Sequence, residues 1–396
     1  MLNEAGMLAL ANDICSEASK QDVAADPTLI TGHAGRALAL AVIGTCVGNK
    51  SFIQRACEHL DEALTLLREQ DLSPSLYHGF TGVVLVVEQL ESRGLLPEMC
   101  DLREIDEVLR DYVESRSTPT SHDVVQGLVG IGVYQLERSY RTRDRVPLVA
   151  LVAALKRAAT TTEKGTAWNA TTLSMRGLVP PEAKPDAIAD LGLAHGSAGV
   201  IAFLSRVLRA SPECSDAREL MTSSTSYLLS QLAGPVPGAH FPHAVVYGAA
   251  ANHIQRVAWC YGDLGIGYAL AQAGLCGLMQ ASRVAEDSIL ALADIVPEAL
   301  SCDADDATYC HGAAGRAHVL HSLTQMMRSP NIEASAFSHL DHAVELLFAQ
   351  SSGANSIVNP LQSASLLNGP LGVALVLATW NVERMSWWSR FLLVGQ

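Results

Sequence analysis

The sequence predicts an all-α fold, a seven-repeat α/α toroid of about fourteen helices arranged as an inner and an outer ring. Three observations predict it. A GxxG signal recurs seven times, beginning at Gly32, Gly79, Gly127, Gly196, Gly262, Gly312 and Gly369. Each copy is followed by a run that is apolar on all sides. Between these runs lie segments that are apolar on one side only.

The spacing leaves room for two helices per repeat. Successive copies are 47, 48, 69, 66, 50 and 57 residues apart, enough for a helix out, a helix back and their connections. Runs such as 83–87, 200–204, 266–270 and 373–377 have no polar face. Such helices are buried on every side and are assigned to the inner ring. In 55–68, by contrast, Ala56, Leu60, Ala63, Leu64 and Leu67 share a helical face while Glu58, Asp61 and Glu62 lie elsewhere, the pattern of an outer helix. Consecutive helices joined by short loops pack antiparallel, so inner and outer helices alternating in sequence close most simply into a toroid. An open solenoid is the rival architecture.

The whole chain, 1–396, reads as one toroidal catalytic domain. Its 69-residue interval contains 160–185, where Pro180, Pro181, Pro185 and the β-prone stretch 168–173 oppose helix, so an inserted non-helical lobe is expected there. Gly234, Pro235, Pro237, Gly238 and Pro242 predict a long irregular loop in the next interval.

Composition narrows the partners. Hydrophobic residues make up 49% and charged residues 17%, which suits a large buried core. With 27 Lys and Arg against 41 Asp and Glu, the net charge of −14 repels phosphate backbones and anionic lipid, so no nucleic-acid partner is expected. The N-terminal segment has Glu4 and no basic residue before its apolar positions, unlike a secretory signal, and a cytoplasmic location is expected. The nine cysteines form no small-domain framework; in a reducing compartment they serve as buried small hydrophobes, metal ligands or nucleophiles.

The repeats also locate the site. If every inner helix starts at a GxxG and the inner helices run parallel, all seven turns gather at one end. Residues just upstream of the glycines then face one cavity. His78, Asp123, His195, Cys260, Cys310 and His311 converge there, beside helix N-termini that favour thiolates or enolates. Cys260 and Cys310 stand two residues before their glycines, and His311 follows Cys310 directly. Two thiols and one imidazole with one position open are the ligand count of a catalytic zinc site. A lone Cys is more often a small hydrophobe and a lone His a hydrogen-bonded core residue, but neither reading explains the matched offsets. Cys302 and His318, near the same repeat, are fallback ligands. His240, His243 and His253, in or near the irregular loop, read equally as surface, substrate-contacting or ligating residues.

At Trp259-Cys260-Tyr261-Gly262, at Cys310-His311-Gly312 and at Leu191-Gly192-Leu193-Ala194-His195-Gly196, the chain resembles the lanthionine synthetase C-like family, the lanthipeptide cyclases. The resemblance covers essentially the whole chain. It implies a seven-repeat toroid with a small non-helical lobe, one Zn2+ held by Cys260, Cys310 and His311, and cavity residues at His195, Asp123, Arg256 and Tyr261. Two departures stand out. Asp263-Leu264-Gly265 replaces a segment in which many relatives have a proline before the glycine, and His78 matches no family role.

The implied reaction is Michael addition of precursor-peptide Cys thiols to dehydroalanine or dehydrobutyrine, forming lanthionine and methyllanthionine rings. A free thiol titrates near about 8.5, and zinc coordination deprotonates it. Arg256 is then the candidate for stabilising the enolate, and His195, oriented by Asp123, or Tyr261 for returning the proton. The bland alternatives are a helix cap at His195 and a buried ion pair between Arg256 and Asp123. The implied partners are a dehydrated precursor peptide of leader plus core and a separate dehydratase, with a membrane-bound export complex as a further candidate that would make the protein peripheral to a membrane. The alternative functions are addition of glutathione or another thiol, prenyl transfer on a zinc toroid, and a non-catalytic zinc-containing peptide scaffold.

Overall fold

The computed structural model describes residues 2–20, 24–115, 121–170, 184, 187–234, 236–250, 253, 255–300, 306–351 and 365–395. Among these, fourteen α-helices alternate between two rings. The outer set is α1 (Glu4–Ala18), α3 (Lys50–Glu69), α5 (Arg103–Glu114), α7 (Val146–Ala158), α9 (Ser215–Leu229), α11 (Met279–Ala293) and α13 (Pro330–Ser351). The inner set is α2 (His33–Val47), α4 (Phe80–Ser92), α6 (Leu128–Thr142), α8 (Ser197–Ala210), α10 (Asp263–Leu275), α12 (Ala313–Met327) and α14 (Pro370–Thr379).

The first glycine of each GxxG is the N-cap of an inner helix. The second presses against the carbonyl six residues upstream in all seven copies, from Leu29 behind Gly35 to Leu366 behind Gly372, where a Cβ would collide. That close approach folds each turn back onto the helix it starts. The apolar runs are buried throughout, as residues 83–87 of α4 and 373–377 of α14 illustrate. On α3, only Phe52, Ala56, Leu60, Ala63 and Leu66 are fully buried, and charged residues occupy the outward face. Leu66 takes the place expected of Leu64 and Leu67, which are partly buried, because the inward stripe follows the 3.6-residue period from Phe52.

Closure distinguishes a toroid from a solenoid, and here the ring closes. Each inner helix packs on the next, from α2 on α4 round to α12 on α14, and α14 packs back on α2 and on α1. The turns close a second ring through their backbones. Ile30 N donates to Tyr77 O, Tyr77 N to Val125 O, Val124 N to Ala194 O, Ala194 N to Cys260 O, Cys260 N to Cys310 O, Cys310 N to Leu367 O, and Leu366 N to Ile30 O. All seven turns therefore lie at one end, held in register by main-chain bonds that no side-chain substitution removes.

The opposite end is filled by a 3-10 segment, Glu383–Leu392, and the residues after it. Its carbonyls accept from Tyr77 Oη at Phe391 (3.0 Å), Trp259 Nε1 at Leu392 (2.8 Å) and Arg206 Nη2 at Gly395 (2.8 Å). Trp388 and Phe391 are buried against this aromatic core.

Strand structure is minor. β1 (Thr160–Thr162) pairs antiparallel with β2 (Gly165–Ala167) at the start of the expected lobe, most of which lies outside the described residues. β3 (Ile188–Asp190) pairs antiparallel with β4 (Ala244–Val246) and so ties the irregular loop to the turn before α8. No described helix is long and apolar enough to cross a membrane.

Candidate active site

The seven turns share more than glycine. The residue just before the first glycine is Thr31, His78, Gln126, His195, Tyr261, His311 or Asn368, all polar, and every one except Tyr261 is at least partly exposed. Six residues before the glycine stand Asp26, Ser73, Ser121, Asp190, Arg256, Asp306 and Ser363, of which Ser363 lies outside the described residues. The acids at this offset brace their own turns. Asp26, Asp190 and Asp306 each accept a backbone N–H two residues on, at 2.9, 2.8 and 2.7 Å from Thr28, Gly192 and Thr308. Their second oxygens are left for other work.

The ring of turns brings Cys260, Cys310 and His311 together, with one ligand atom from each lying within 4.8 Å of the others. Cys260 is buried, while Cys310 and His311 are partly exposed towards the cavity. The two thiols act on each other. Cys260 is lowered to about 6, first by its hydrogen bond with Cys310 and then, against burial, by the charges of Arg256, His311 and His195. That same bond, with burial, pushes Cys310 well up. Two adjacent cysteine sulfurs are a donor pair that a soft divalent cation would complete. Asp306 Oδ2 stands 3.2 Å from His311 Nε2 and holds the ring as a carboxylate behind a metal-binding imidazole does.

Asp123, fully buried at the third turn, bonds His195 Nδ1 at 2.9 Å through Oδ2, while Oδ1 accepts Gln126 N. Burial alone would lower the His195 pKa; the Asp123 bond and charge, aided by Asp190 and Cys260, outweigh it and leave the imidazole above its ordinary value. The partner of Asp123 is therefore His195, across the boundary between two repeats.

Tyr261 stacks beside His195, ring centroids 6.2 Å apart, and its hydroxyl donates to Asp190 Oδ2 at 2.8 Å. Burial and the Asp190 charge push its ionisation far up. Arg256 lies over the same ring, its guanidinium carbon 6.0 Å from the centroid. It has no carboxylate partner among the described residues, and its Nε is buried without a hydrogen bond. Its sequence position is telling, since an arginine replaces the turn-bracing Asp or Ser found at this offset in the other repeats. The turn adapts: Gly262 takes φ +90°, and a Cβ there would collide with the Arg256 carbonyl.

The remaining candidates separate. His78 is exposed on the cavity side; burial lowers its pKa first, and Asp26 and His195 act on it in opposite directions. His318 is buried under Trp388, bonded to the Tyr309 hydroxyl at 2.8 Å and outside the group that could hold a metal. Cys302 lies outside the described residues. His240 bonds Asp263 at 2.6 Å, and His253 meets the Ala239 carbonyl at 3.1 Å. Only His243 of the loop histidines turns inward, buried against the Tyr261 ring at a centroid distance of 5.7 Å. Asp190 and Asp306 were absent from the sequence-based reading, and His243 stood there only as one of three loop histidines left undecided. The two acids carried a legible signal at the shared offset six before the glycine, whereas nothing in the sequence set His243 apart from His240 and His253.

A model of the family described as "Lanthionine synthetase C-like protein" matches residues 23–393. Among solved structures, the chain is similar to nisin cyclase, with 18% identity, a TM-score of 0.73, and 97% of this chain and 96% of that one covered. It is less similar to a GH76A alpha-1,6-mannanase from Salegentibacter sp. HEL1_6, with 11% identity, a TM-score of 0.50, and 94% and 98% covered. A search of curated proteins finds no match.

Proposed function

This chain belongs to the lanthionine synthetase C-like family, and from that premise we propose that it closes lanthionine and methyllanthionine rings in a dehydrated precursor peptide. The observation carrying this reading is the convergence of Cys260, Cys310 and His311 beside His195 and Arg256 at one end of the toroid. Two thiols and an imidazole, with Asp306 behind the imidazole, fit a zinc ion with one position open to substrate. Zinc bound there would hold a substrate cysteine as thiolate at neutral pH.

The chain's own residues do the rest. A carbon–sulfur bond forms at the β-carbon of the dehydro residue as its C=C π bond breaks, and the electron pair moves onto the α-carbon and its carbonyl oxygen. Arg256, with no carboxylate partner among the described residues, would stabilise that oxygen. The enolate then takes a proton at the α-carbon. His195 is the donor we favour over Tyr261, because Asp123 supports a protonated imidazole, whereas the Tyr261 hydrogen is engaged by Asp190. A dehydratase acting beforehand must supply the dehydro residues, since the proposed chemistry consumes them and makes none.

Ring closure is an isomerisation and leaves the peptide mass unchanged, so it is read by thiol alkylation. Zinc-loaded protein incubated with dehydrated precursor should protect the peptide cysteines from alkylation. Full alkylation, with glutathione adducts forming instead when glutathione is supplied, would move the assignment to intermolecular thiol addition.

A further inference from the structure

We infer that Asp190 is a positioning residue for ring closure, acting through the Tyr261 hydroxyl to hold the ring against which Arg256 and His195 are set. The inference rests on the cyclase reading.

Asp190 is fully buried at the end of β3 and has no cation within salt-bridge distance among the described residues. Its oxygens divide the work: Oδ1 accepts Gly192 N at 2.8 Å and Oδ2 accepts Tyr261 Oη at 2.8 Å. The acids at the same offset in the first and sixth repeats serve their own turns, Asp26 bonding Thr31 and Asp306 holding His311. Asp190 reaches instead into the next repeat. Its own cavity residue, His195, is taken by Asp123 of the repeat before. The acids are thus handed forward one repeat where the reacting groups lie, and each of His195, Tyr261 and His311 stands against one carboxylate.

The bond has little freedom. A Cβ on Gly192 would approach Tyr261 Cδ1 and Cε1 to 2.6 and 2.7 Å, so the ring lies flat on the turn that Asp190 itself braces. His243 closes another side, and its carbonyl accepts Leu191 N at 3.0 Å. With its hydroxyl tied and its ring confined, Tyr261 presents a fixed π surface to Arg256, which has no carboxylate partner among the described residues. A guanidinium located this way is not offset by a paired carboxylate among the described residues, whereas a salt bridge would hold it in place but counter its charge at the substrate oxygen.

Two variants separate positioning from plain structure. Tyr261→Phe deletes only the hydroxyl. Asp190→Asn keeps one carbonyl oxygen for Gly192 N and turns an amide towards the phenol. Each should retain zinc and KM while lowering kcat by about 10-fold or more through misplacement of the reacting groups. The double variant should be no slower than the worse single one, since both remove the same bond. Independent, multiplying losses in kcat, or a parental kcat in Asp190→Asn accompanied only by a lower Tm, would overturn the inference. Thermal melts of the same four proteins read the bond without catalysis: non-additive changes in Tm support it and additive ones overturn it. A parent chain that closes no rings yet shows the melt coupling would sink the cyclase reading alone.

Discussion

Asp306 Oδ2 lies 3.2 Å from His311 Nε2, so this ring nitrogen is engaged and Nδ1 is the one left for the proposed metal. An outer carboxylate of this kind fixes the imidazole and raises its donor strength. Asp306→Ala should weaken zinc binding by about 10- to 100-fold in a chelator competition, with far-UV circular dichroism unchanged. Parental affinity would show that the carboxylate only caps its turn through Thr308.

Cys260→Ala, Cys310→Ala and His311→Ala should each abolish stoichiometric zinc by elemental analysis while the helical signal persists. The toroid is closed by helix packing and by main-chain bonds running through all seven turns, so the metal is not required to hold the ring. Collapse of the helical signal on zinc removal would contradict this and favour a structural metal.

His195→Asn should slow ring closure by roughly 100-fold with zinc retained, the scale expected for losing a general acid. The pH dependence carries a sign. Because the folded pKa of His195 is raised, the protonated donor is lost, with any stability it contributes, as pH rises through that value; below the unfolded value, about 6.5, both are fully present. Asp123→Asn removes the largest of the contributions that raise the pKa, so the alkaline limb of the rate profile should move to lower pH. A limb that stays in place would assign the proton to another group.

Replacing Arg256 distinguishes charge from fork geometry. Lys keeps a cation without the planar donors, whereas Met removes the charge at similar bulk. Met should slow closure more than Lys. Since no carboxylate pairs with Arg256 among the described residues, Met strands no buried acid and Tm should stay near the parental value. A large fall in Tm would reveal a structural role instead.

Much of this was legible in one dimension. Seven GxxG copies mark seven helix starts, and the alternation of wholly apolar with one-sided runs separates the inner ring from the outer. Cys260, Cys310 and His311 are recognisable because matched offsets in a repeat become neighbours in space. The acids were harder to read. Asp190 and Asp306 share an offset and brace identical turns, yet one serves a tyrosine of the next repeat and the other a histidine of its own.

The sequence alone therefore determined the repeat, the starts of the inner helices and the candidate metal group Cys260, Cys310 and His311, because these depend on hydrophobic period and on glycine at fixed positions, which are local properties. Tertiary structure decided which acid meets which cavity residue: Asp123 with His195, Asp190 with Tyr261, and Arg256 with no acid among the described residues. The reason is geometric. Closing the ring sets each turn beside the next through backbone hydrogen bonds, and the pairing of side chains across those boundaries follows from the angle at which neighbouring turns meet, which no residue specifies on its own.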